Sequence, residues 1–175
     1  NIFFSLSLDP SDTRSLGITI ANRSGEYGIP PQVEDGKPID MSSPSFERLE
    51  DYTERELQVA GSHQLTPALT LRGHTFFTRR EARQVVYDDA SYNSTDRQDS
   101  GIEDTVDENL GFGLFADFDV AGWGILSTGL SWHRSRREAD GFVNKKDFQP
   151  VFYDVTLEVD IFNWATEFQW QPADG

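Results

Sequence analysis

The chain contains no cysteine in its 175 residues, which excludes a disulfide framework, thiolate catalysis and cysteine-based zinc sites. It is short of positive charge: 15 Lys and Arg stand against 30 Asp and Glu, a formal net charge of −15. Nucleic-acid binding needs clustered cations to neutralise phosphate, so this balance argues against it. The balance equally disfavours purely electrostatic docking on an anionic membrane surface. Long apolar runs are missing too. None approaches the roughly 18 residues of a transmembrane helix, and mean hydropathy is negative. At the start, Asn1-Ile2-Phe3-Phe4 offers neither an initiator Met nor a basic segment leading into an apolar stretch, so no signal peptide is visible.

What the chain does have is alternation. Leu110, Phe112, Leu114, Ala116, Phe118 and Val120 place an apolar side chain at every second position, and Leu126, Thr128, Leu130 and Trp132 resume the rhythm. A period of two marks a β-strand with one apolar and one polar face. The short Ala121-Gly122-Trp123-Gly124 connection joins the two strands as an antiparallel hairpin. Nothing else in the sequence offers a complementary apolar surface, so Leu110, Phe112, Leu114, Phe118, Leu126, Leu130 and Trp132 are expected to face lipid. Transmembrane strands escape hydropathy scans because only alternate residues meet the bilayer.

The pattern predicts an all-β chain, an antiparallel up-and-down meander of about seven strands. Strand one carries Ile2, Phe4, Leu6 and Leu8; strand two carries Leu16, Ile18 and Ile20. Strand three carries Leu57, Val59 and Leu65, and strand four Leu69, Leu71, Thr75 and Phe77. The hairpin supplies strands five and six, and 153–170 forms strand seven. Short turns fall near residues 10, 66, 122 and 173, and long polar connections are expected over 23–51, 84–108 and 136–150. Bacterial outer-membrane barrels show this asymmetry of tight periplasmic turns and long extracellular loops. A soluble β-sandwich binding module is the alternative, with shorter strands and closer turns.

Aromatic placement fits the barrel. Phe118, Trp123, Phe168 and Trp170 lie near the short turns, and Phe77, Phe112 and Trp132 lie seven to ten residues along their strands. Eight or nine residues at about 3.3 Å and a tilt near 40° climb roughly 20–23 Å, close to the ~25 Å apolar band. Strand seven breaks phase, from Val155, Leu157, Val159 and Ile161 to Phe162, Trp164, Phe168 and Trp170. That predicts a β-bulge near Ile161-Phe162, or else one half is a loop.

The run Arg23-Ser24-Gly25-Glu26-Tyr27-Gly28-Ile29-Pro30-Pro31 after strand two resembles TonB-dependent outer-membrane receptors, as do the stretches 68–87 and 111–134. The resemblance implies a 22-stranded barrel around an N-terminal plug, taking up a scarce ligand such as a siderophore complex, cobalamin or an oligosaccharide. Energy would come from the TonB complex, contacted through parts outside these residues. The plug, the TonB-contacting segment and a terminal aromatic residue are not present here, and seven is an odd number for a bacterial barrel. Residues 1–175 are therefore expected to be a slice of such a barrel in the bacterial outer membrane. A passive porin-type channel is the runner-up.

Signs of chemistry are sparse. No Gly-x-Ser-x-Gly elbow or His-Glu-x-x-His motif occurs, and His63, His74 and His133 stand singly, so no enzyme activity, cofactor or metal centre is expected. The acidic stretch 88–108 could take Ca²⁺, but a solvated extracellular loop explains it as well. Arg72, His74 and His133 fall on the expected lumen face as candidates for an anionic small-molecule ligand, or as partners of Asp117 or Asp119. Arg79, Arg80 and Arg83 read either as neighbours of lipopolysaccharide phosphates or as a solvated strand extension.

Overall fold

The computed structural model describes residues 1–29, 33–34, 37–38, 46–120, 123–145 and 149–170. Among them are nine strands: β1 (Ile2–Ser11), β2 (Arg14–Ile29), β3 (Val33–Glu34), β4 (Lys37–Pro38), β5 (Phe46–Thr66), β6 (Leu69–Tyr87), β7 (Gly101–Val120), β8 (Gly124–Asn144) and β9 (Pro150–Trp170). Seven form one antiparallel sheet in the order β1-β2-β5-β6-β7-β8-β9, and β3 pairs only with β4. The seven strands follow one another in chain order, with β3 and β4 in the connection between β2 and β5, so the sheet is a meander. β1 and β9 each have one partner, and the sheet is open.

Directly opposed residues in an antiparallel pair project from the same face, so the register sorts the side chains. One row reads Leu6, Ile18, Val59, Thr75, Phe112, Trp132, Phe162 from β1 to β9. The next, toward the short connections, reads Leu8, Leu16, Gly61, Gly73, Leu114, Leu130, Trp164. The alternating apolar residues of all seven strands thus meet on one face. The expected set from Leu110 to Trp132 lies together in its centre.

Among the described residues no second layer covers that face. Among the described residues the only buried hydrophobic side chains are Ala21, Val85 and Ala139, and no large side chain is fully buried. Leu114 is 50% exposed although its strand is flanked on both sides. The surface area of 12387 Å² exceeds the roughly 8,600 Å² expected of a folded monomer of this mass. The packed double sheet of a β-sandwich is not what these residues form.

The apolar band also slants across the hydrogen-bond rows. Leu16, its last member on β2, lies in the row of Trp164, yet the band on β9 runs six residues further to Trp170. Six residues at ~3.3 Å against five strand spacings of ~4.8 Å is a slope of about 40°. The upper edge drifts the same way by two residues, from the Ile20 row, which reaches Asp160, down to Phe162.

Two expectations need correction. β9 has no bulge and no loop half: it pairs with β8 in unbroken register from Gly124↔Trp170 to Asn144↔Pro150. Its change of phase is a change of surroundings. Beside the band its apolar residues lie on the apolar face; above it, Val155, Leu157 and Val159 lie on the opposite face, and Asp154, Glu158 and Asp160 take their place. One-residue irregularities occur instead in β5, between Glu50 and Thr53, where Asp51 takes φ 51°, and between Gln64 and Thr66.

The long connections are also shorter than the alternation suggests, because β2, β5, β6, β7 and β8 continue well past the apolar band. Charged residues pair across these extensions, keeping the backbone ladder without hydrophobic periodicity. The short turns appear at 12–13 and 67–68, with Ala121, Gly122 and the expected turn 171–175 outside the described residues, as are Pro30 and Pro31. Gly124 opens β8 at φ 140°, where a side chain would strike the carbonyl of Gln169.

Candidate functional site

The polar face carries small side chains on β1, β2 and β5 and larger ones on β6 and β7. Ser7, Ser15, Gly17, Ala60 and Ser62 floor a depression of about 400 Å³, walled by Arg72, His74 and Phe115. Arg72 donates two bonds to Asp117, Nε to Oδ2 at 2.8 Å and Nη2 to Oδ1 at 3.0 Å. The Ser127 hydroxyl donates to Asp117 Oδ1 at 2.8 Å. This fork fixes the guanidinium in one plane, so the pairing of Arg72 with a carboxylate is present. His74 stacks on Phe115 with centroids 5.8 Å apart, and the Arg72 guanidinium lies 5.8 Å from the same ring.

Phe115 lies flat against the sheet because Gly113 and Gly129 leave room for it. A Cβ at Gly129 would run into its ring, and one at Gly113 would meet both that ring and His74. Phe76 uses Gly111 in the same manner, a Cβ there coming to 2.7 Å of its Cε1. His133 joins this second group: its ring lies 5.6 Å from Phe76, and Nε2 is 3.4 Å from Asn109 Oδ1. Arg72, His74 and His133 therefore occupy three successive rows of one face. The first two share Phe115, and His133 stands apart with Phe76.

Above this region one row of the polar face reads Arg23, Glu54, Arg80, Asp107, Arg137 and Leu157, from β2 to β9. The charges alternate in sign across five strands, each opposite pair contributing about 0.2–1 kcal/mol. Arg23 pairs with Glu54, Arg80 with Asp107, and Arg137 with Glu103 at 3.0 Å. Two tyrosines lie above the row on the same face: Tyr52 donates to Glu54, and Tyr153 donates to Glu103 at 2.9 Å. Burial, then the hydrogen bond and the negative charge of the carboxylate, push each phenol up to about 12.

The basic trio is not one cluster. Arg80 belongs to this row on the polar face, whereas Arg79 and Arg83 project from the other face and bond to Glu108 and Asp104 at 2.8 and 2.7 Å. The acidic loop is held by N–H and O–H donors. Asp88 accepts from Ser94 Oγ and from the backbone N–H groups of Asp96 and Arg97 at 2.5, 3.0 and 2.8 Å. Burial works to raise its pKa, but these bonds outweigh it and hold the carboxyl well below the usual range. The loop is tied to β8 by the buried Asn144, which donates to Thr95 O. Among the described residues no group of three or more His, Asp or Glu side chains is arranged to hold a metal ion.

Phe115, Phe76 and the alternating row were not singled out from the sequence. For the aromatics a signal existed: glycines at 111, 113 and 129 inside strand patterns mark a close approach. For the row there was none, since its members are far apart in sequence. Compared with known proteins, the chain matches no family model, no curated protein and no solved structure.

Proposed function

We propose that this chain forms part of the wall of an outer-membrane β-barrel, with the apolar face turned to lipid and the polar face to an aqueous lumen. The observation that carries this reading is the uncovered apolar band spanning seven strands. A sheet this apolar on one side needs a partner, and the chain supplies none among its described residues. The slant of the band's lower edge supports it further, and the upper edge drifts the same way by about 15°. Strands tilted by about 35–45° to a bilayer require an apolar zone that crosses the hydrogen-bond rows at that angle. From Val120 to Leu110 the band is ten residues tall, about 33 Å along the strand and about 25 Å after such a tilt.

Within that class we read the protein as a TonB-dependent receptor that takes up a scarce ligand, on the strength of the sequence resemblance around 23–31. The depression beside Arg72, His74 and Phe115 offers an aromatic ring, a cation and hydroxyls to a polar small molecule. The reading assigns no covalent chemistry to these residues. A porin-type channel would share the wall but not depend on TonB.

Residues 1–175 contain no cysteine, so the test needs only that any cysteine elsewhere in the full-length protein be replaced by serine. Single cysteines at Leu130 and Ser131, in the full-length protein in vesicles, are treated with a charged, membrane-impermeant thiol reagent. Ser131→Cys should react at least tenfold faster than Leu130→Cys. Equal rates, or the reverse order, would remove the reading. Uptake abolished by loss of TonB separates a receptor from a passive channel.

A further inference from the structure

The first polar row above the band on the apolar face reads Asn22, Arg55, Arg79, Glu108, Arg136 and Glu158 from β2 to β9. Arg55 and Arg79 are directly opposed, and facing like charges destabilise a sheet unless something lies between them. Arg79 is answered from one side, by Glu81 at 2.7 Å and Glu108 at 2.8 Å. Arg55 has no carboxylate within 4.0 Å among the described residues. Its other neighbours on this face are Asn22 across the strand and, in the row above, Ser24, Thr53 and Glu81, the last already bonded to Arg79. Directly below on the same face lie Ile20, Leu57 and Phe77, with Leu57 42% exposed.

An uncompensated guanidinium, three neutral donors and an apolar floor suit one kind of occupant, an amphiphile with an anionic head. We propose that Arg55, with Arg79 beside it, binds the phosphate headgroup of an anionic lipid whose acyl chain descends over Ile20, Leu57 and Phe77. The proposal rests on the outward reading of the apolar face given above. Guanidinium and phosphate match in geometry and charge. The site is local, because the net charge of −15 repels anionic surfaces at longer range.

A tryptophan reporter introduced as Leu57→Trp, in the full-length protein in phosphatidylcholine vesicles, tests it by quenching with brominated lipid, read as the difference from the parent. Brominated phosphatidylcholine should quench the reporter. When brominated phosphatidylglycerol replaces a minor fraction of it, the reporter should find that lipid enriched about fivefold over bulk. The enrichment should fall to near one with Arg55→Gln, persist in part with Arg55→Lys, and survive Arg134→Gln, a cation already bonded to Asp160. Quenching without enrichment overturns the headgroup site and leaves the outward face standing. No quenching, at this reporter or at a second one made as Ile20→Trp, overturns the outward face itself. Enrichment abolished by millimolar inorganic phosphate would assign the arginines to a free anion and also overturn the proposal.

Discussion

Phe112 and Trp132 stand directly opposite one another on β7 and β8, ring centroids 5.9 Å apart and planes inclined by 39°. Phe162 on β9 continues their row, and just above it Arg134 and Asp160 form an ion pair at 3.0 Å. The Trp132 indole N–H donates to that same carboxylate at 3.0 Å. An aromatic row with its polar edge tied to a charge marks a boundary between apolar and aqueous surroundings, and the predictions below follow from where that boundary lies.

Leu114 lies midway in the band. Leu114→Arg should cost about 2–4 kcal/mol in unfolding from phospholipid vesicles, the penalty for a cation at the bilayer midplane. Gln58→Arg, on the polar face, should cost less than about 1 kcal/mol. If the two costs were exchanged, the assignment of faces would be inverted.

Gly129 exists to admit Phe115. Gly129→Val should destabilise by about 1–3 kcal/mol through overpacking. Adding Phe115→Ala should recover part of that loss, so a double-mutant cycle should give a favourable coupling. Strict additivity would show that the ring can move aside freely.

Asp88 holds its loop as a carboxylate. Its folded pKa is lowered, so its contribution is present above the ordinary value near 3.8 and drains away as pH falls below it toward the folded pKa. The amide resonances of Asp96 and Arg97 should therefore keep their positions down to about pH 3, well below an ordinary carboxylate midpoint. A midpoint near 4 in those amides would contradict the network. In the Asp88→Asn variant the titration should vanish.

Tyr52 and Tyr153 behave in the opposite sense. Their folded pKa values are raised to about 12, so their hydrogen bonds stabilise the sheet below about pH 10 and are lost as pH rises through the folded value. Absorbance titration at alkaline pH should show a late-ionising component. Tyr153→Phe should remove part of it, and an unchanged curve would place that phenol in open solvent.

Much of the sheet was legible in the chain. Ile2 to Leu8, Leu16 to Ile20 and Leu110 to Trp132 declare their strands through alternation, and the Arg72–Asp117 pair follows from two residues expected on one face. Other features left less trace. β9 misled because its apolar phase shift reads the same for a bulge as for a strand that passes from one environment to another. The extensions over 79–87 and 101–109 carry charges on both faces, and a strand polar on both sides has no periodicity to detect.

Local sequence therefore determined the strands and their two faces within the apolar band, because a period of two is a property of neighbouring residues along one chain. Only the assembled sheet decided which residues meet. Arg23, Glu54, Arg80, Asp107 and Arg137 become one row of alternating charge, and Arg55 comes to face Arg79, through registers that sum over several strand pairs. Those registers are set by every pairing at once, and no single segment contains that information.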